Sequence, residues 1–246
     1  MLYELLDQII ERIVKLRSED GPEFYSQMEA HGCDLGDGIE NQILRDAITI
    51  GFSKHVIMRL GEMPRMLREI VERVGARSTD PAERCSLLLA LVYVARPIDI
   101  IPDDAPGGYG FIDDYVVLNA LHLEHVRTFE NALEKAEALK ANLKLASVCL
   151  GARDRELLEK VVSGAMGSLH AFRNLDRHAL DHLAQSMIEN PLVADAPLAG
   201  KTEPDPDGDP FLGVPGTPER DGENLIIPFA DGGILISTPT GIIPPY

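Results

Sequence analysis

Basic residues are scarce in this chain. Twenty-three lysines and arginines stand against 40 aspartates and glutamates, a formal net charge of −17. A surface of that sign repels phosphate backbones and anionic headgroups, so no nucleic acid is expected and a basic protein surface is the better partner. Cysteine is thin as well. Cys33, Cys85 and Cys149 are odd in number and far apart, which favours reduced thiols in a cytoplasmic compartment over a disulfide framework or a zinc site. Long apolar runs are missing. The longest, residues 87–95, falls far short of the roughly 20 residues that cross a bilayer, so membrane spanning is not expected. Residues 1–7 lack the basic start of a signal peptide. There is no phosphate-binding loop and no nucleophile elbow of the serine hydrolases.

What is present is helical periodicity. With 45% hydrophobic residues the chain can bury a substantial core. Leu2, Leu6, Ile9 and Ile13 recur at helical steps, as do Leu44, Ile48, Phe52, Val56 and Leu60. Asp80-Pro81-Ala82-Glu83 is a helix start, with an acid at the cap and proline in the first turn. The segment it launches, residues 86–95, is apolar on every face and predicts a helix surrounded by others. Arg96-Pro97 stops that helix near Ala95, because proline pushes the preceding residue out of the helical region. A stripe from Leu118 to Leu143 through His125 predicts one long helix or two in series. Leu158, Val162, Leu169 and Phe172 mark another helix, and Asp176 caps a last one that Asn190-Pro191 ends.

Between the two central helices lies a loop stiffened by Pro97, Pro102 and Pro106 and bent at Gly107, Gly108 and Gly110. Its carboxylates, Asp99, Asp103, Asp113 and Asp114 with Asp104 among them, are candidate ligands for a divalent cation. Magnesium and calcium want several carboxylate oxygens at one point, and a rigid loop is able to hold them there. The same residue types serve caps and Asx-turns, and the pattern favours that use. Asp113 and Asp114 are expected just ahead of the next helix. Two weaker metal patterns are the histidine pairs His122 with His125 and His178 with His182, which have helical ligand spacing but no evident third ligand. Asp205-Pro-Asp-Gly-Asp209 resembles the start of a calcium loop without its flanking helices.

The order Pro97-Ile-Asp-Ile-Ile-Pro-Asp103, a glycine-bearing spacer, then Ile112-Asp113-Asp114 resembles the signature of the YkvA-type DUF1232 domain over roughly residues 80–125. The resemblance implies a small helical bacterial domain of no established activity, near membrane-spanning segments in some members; a peripheral membrane contact is the most it implies for this chain. The spacer, residues 104–111, is glycine-rich where the family pattern is more aliphatic, which argues against a membrane-touching loop.

Past Pro191 the composition changes. Eleven of the 17 prolines lie in the last 56 residues, which carry nine acids against two bases. Residues 191–224 hold too few apolar groups to offset the entropy of folding and are expected to be an extended linker. Residues 225–246 then predict two short strands in a hairpin that must dock on something. Its apolar residues, Leu225, Ile226, Ile227, Phe229, Ile234, Leu235, Ile236, Ile242 and Ile243, are the candidate partner-binding set, in cis or in trans. The expected fold is therefore mainly α: N-terminal helices in 1–79, a helix–loop–helix core in 80–125, further helices of the same body in 126–190, then the linker and the docking tail. Two functions fit. The favoured one is a non-enzymatic binding or assembly module that engages a protein partner or a second copy through its acidic surface and tail. The other is a metal-dependent enzyme, a hydrolase among the options, centred on loop 99–114 with magnesium or calcium.

Overall fold

The structure, a computed structural model, describes residues 1–36, 39–96, 100–127, 133–191, 212–222, 224–238 and 241–243. The protein is mainly α. Its helices are α1 (Leu2–Ile13), α2 (Gly21–Ala30), α3 (Gln42–Leu60), α4 (Met63–Gly75), α5 (Pro81–Val94), α6 (Ile112–Arg127), α7 (Leu133–Val148), α8 (Ala152–Phe172) and α9 (Arg177–Glu189). Among the described residues four strands follow, β1 (Glu219–Asp221), β2 (Asn224–Pro228), β3 (Ile234–Thr238) and β4 (Gly241–Ile243).

α5 is the axis of the body. Asp80 caps it, Oδ1 accepting from the Ala82 and Glu83 N–H groups at 2.9 and 3.3 Å. Cys85 and every residue from Leu87 to Val94 are buried. A helix apolar all round must be enclosed, and α5 is packed by α1, α4, α6, α8 and α9. The helix stops at Val94, as the Arg96-Pro97 step requires. The long stripe that follows becomes two helices that fold back on one another. Asn142 of α7 donates to the Asn119 side chain of α6 at 3.0 Å, and Asn119 in turn donates to the Tyr115 carbonyl.

The glycine-rich spacer is where the loop meets the helices. Gly107 and Gly108 take φ of 68° and 81°. A Cβ on Gly107 would strike the Phe24 backbone nitrogen of α2, and one on Gly110 would strike the Pro102 carbonyl across the loop. These glycines answer close approach inside the protein. Between them Tyr109 is fully buried; its hydroxyl donates to the Cys149 carbonyl at 2.9 Å, and its ring lies 5.4 Å from Phe24, edge to face.

The expected hairpin is larger than its sequence suggests. The four strands form an antiparallel meander in the order β1-β2-β3-β4. β1 lies inside the stretch read as linker, so order begins before Asn224. One face is packed into the protein's core through Leu225, Ile227, Leu235 and Phe229, and β3 and β4 lie against α3. Among the described residues no helix is long and apolar enough to cross a membrane.

The glycine geometry sets a prediction. Gly110→Ala drives a Cβ into backbone and should cost about 3 kcal/mol or more in urea unfolding. Gly222→Ala, at φ 62° with open space around it, should cost only about 1 kcal/mol. Equal losses would show that the loop yields easily.

Candidate functional site

The loop carboxylates are turned inward. Asp103 is buried, and its Oδ2 accepts from Nη1 of Arg12 on α1 at 3.2 Å while Arg12 Nη2 donates to the Asp103 carbonyl. The same guanidinium lies 5.0 Å over the Phe111 ring. Burial pushes the Asp103 carboxyl above its usual range, against the pull of Arg12. Asp113 and Asp114 do not precede α6 as expected; the helix starts at Ile112 and both lie in its first turn, fully buried. Asp113 Oδ2 accepts from the Tyr93 hydroxyl of α5 at 3.2 Å and from the Ile101 N–H at 3.3 Å. The backbone N–H groups of Asp113 and Asp114 also reach this carboxylate, yet burial outweighs every donor and pushes its pKa up to about 6. Asp113 Oδ1 has no hydrogen-bond partner among the described residues.

Asp103 and Asp113 thus act as internal ties between the loop and α1 and α5. Asp99 and residues 205–209 lie outside the described residues. Among the described residues no group of three or more His, Cys, Asp and Glu is placed to hold a metal ion. His178 and His182 are exposed on α9, and the side chain of His125 lies outside the described residues.

The three thiols are free. Cys33 donates to the Val148 carbonyl at 2.7 Å, and burial pushes its pKa up to about 12 despite Arg155 nearby. That makes it a poor nucleophile, although His31, two residues before it, is held by Asp154 at 2.6 Å. The His31–Asp154 pair has no signature in the sequence, since its members are 123 residues apart.

The tail candidates divide by strand alternation. Leu225, Ile227, Phe229 and Leu235 are buried, whereas Ile226 and Ile236 are half-buried and Ile234 is 47% exposed. Ile242 and Ile243 lie on β4 with side chains outside the described residues. The sheet is clamped to the body by Lys144 of α7, whose Nζ sits 2.6 Å from Asp231 and 5.3 Å from the Phe229 ring centre. That ion pair holds the Asp231 carboxyl below its usual range. Glu159 of α8 accepts from the Leu212 N–H. The apolar tail therefore docks in cis through one face.

A feature that sequence reasoning missed is a cleft of about 200 Å³ between α4, α5, α6 and α8. Its floor is made by Ile70, Leu87, Ala90, Leu118, Leu121 and Leu169, and its mouth carries Asp80, Glu83, His122, Glu124 and Arg173. No sequence motif marks it, because its walls come from four separate helices.

Burial of Asp113 has a measurable consequence. Its folded pKa near 6 exceeds the unfolded value near 4, so ionisation favours the unfolded chain as pH rises through about 6. The group's contribution to stability is present in full below pH 4 and is lost above pH 6. Asp113→Asn keeps an oxygen acceptor without the charge. Its stability relative to wild type should improve by about 2 kcal/mol between pH 4 and pH 7.5 in urea melts. Parallel curves for the two proteins would show that the carboxylate is not desolvated.

No curated protein and no solved structure matches the chain. Residues 83–120, which run from α5 through the acidic loop into α6, match the model of the family described as a protein of unknown function, DUF1232.

Proposed function

We propose that this protein is a non-enzymatic helical assembly module that engages a basic protein partner through the outward face of its C-terminal sheet and the acidic surface around it. The observation that carries this reading is the outward face itself. An antiparallel sheet with one face on a core ordinarily shows polar residues on the other. Here the outward positions of β2 and β3 include Ile226 opposite Ile236 and Pro228 opposite Ile234, with exposed Val214 on the neighbouring segment that pairs with Ala230. Apolar residues in a contiguous, outward row are the mark of a contact surface. Of the three exposed residues of β1, Glu219 and Asp221 share the register of the outward face and border it with negative charge, while Arg220 lies at the register of the inward face; the net charge of −17 favours association with a basic surface over self-association.

The inward use of Asp103 and Asp113 supports the non-enzymatic part of the reading, since both carboxylates serve contacts within the fold. The test is quantitative co-purification from the native cell under graded salt. The wild-type chain should elute with a partner of basic character, and the complex should weaken as salt screens the attraction. Ile234→Lys together with Ile236→Lys should reduce partner recovery at least tenfold while the helical signal is unchanged. Equal recovery by the double variant would overturn the assignment of this face.

A further inference from the structure

The cleft between α4, α5, α6 and α8 is used neither by the loop nor by the sheet. Its floor is apolar and buried, with Leu87 and Ala90 from α5, Leu118 and Leu121 from α6 and Leu169 from α8. Its volume of about 200 Å³ exceeds the roughly 150 Å³ that houses a benzene ring, so a leucine- or phenylalanine-sized body fits. The mouth is mixed in sign, and its charges differ in how far they are committed. Glu83 is tied to Arg73 at 2.5 Å. Asp80 caps α5 through Oδ1 alone, which leaves Oδ2 outside the cap. The side chain of Arg173, at the C-terminal end of α8, makes no hydrogen bond or ion pair among the described residues. Asp80 and Arg173 line one cleft without pairing with each other, which puts one acid and one base beside the same apolar floor.

We infer that this cleft binds a free α-amino acid with an aliphatic or aromatic side chain. The ammonium group is held by Asp80, the carboxylate by Arg173, and the side chain rests on the leucine floor. A simple carboxylic acid would meet Arg173 but set its charge against Asp80. A simple amine would leave Arg173 unmet. The zwitterion satisfies both ends, and a few convergent polar groups above an apolar floor are the usual form of a small-molecule site. This inference is independent of the sheet face, and either can fail without the other.

Titration calorimetry on the full chain tests it, with leucine and phenylalanine at up to about 10 mM, a level that fills even a millimolar site. Saturable binding of at least one is expected. The amine and the acid that share leucine's side chain, 3-methylbutylamine and 4-methylpentanoate, should each bind at least tenfold more weakly. Arg173→Gln and Asp80→Asn should each weaken amino-acid binding at least tenfold. Asparagine also caps a helix, so Asp80→Asn should keep the wild-type melting profile; if it does not, Arg173→Gln at an exposed position decides alone. No saturable heat with either amino acid, equal binding of the amine or the acid, or wild-type affinity in Arg173→Gln would each overturn the proposal.

Discussion

A carboxylate that leaves water must be met by donors, and in this protein the donors for Asp113 come from three pieces of chain. Tyr93 reaches it from the last turn of α5, the Ile101 N–H from the loop, and its own N–H with that of Asp114 from the first turn of α6. Those groups converge only if α5 ends, the loop turns and α6 begins in one particular way. Once that is so, Asp103 faces Arg12 on α1 and Tyr109 drops between α2 and the end of α7. The segment that matches the DUF1232 family is thus a device for joining helices from both halves of the body. Desolvation of Asp113 works against the fold near neutral pH, and the donors offset part of that cost.

Rules that act over a few residues were readable in the sequence. Asp80 and Pro81 start α5, Asp176 caps α9, and Asn190-Pro191 ends it, because capping and proline sterics depend on neighbours in the chain. The enclosure of α5 was readable from its all-round apolarity. Contacts across the fold were not. Arg12 and Asp103 are 91 residues apart, and nothing in the helix that holds Arg12 distinguishes it from any exposed arginine. β1 escaped notice for another reason. Glu219, Arg220 and Asp221 have little strand preference and form an edge, where charge protects against unwanted pairing. The cleft is invisible because its floor residues look like ordinary core in each of their own helices.

The two surfaces proposed to act lie on different parts of the molecule and use different physics. The outward sheet face offers apolar area bordered by acids, suited to a macromolecule of opposite charge. The cleft offers a small apolar floor with Asp80 and Arg173 among the charged groups at its mouth. The sheet is attached through Lys144, which is only 16% exposed and meets both Asp231 and the Phe229 ring. Lys144 thus adds a tie between the sheet and α7, the helix just beyond whose end Cys149 receives Tyr109.

The burial of Tyr109 also constrains the order of events during synthesis. Its hydroxyl is matched by the carbonyl of Cys149, 40 residues further along the chain. Arg12 and Phe24 have already emerged from the ribosome when the loop is made, but the last acceptor has not. Until residue 149 is out, the loop cannot close without stranding a buried phenol, and α5 lacks the α8 and α9 neighbours that enclose it. A nascent chain of that length exposes a continuous apolar helix. The body therefore completes its core late, when most of its helices have been made.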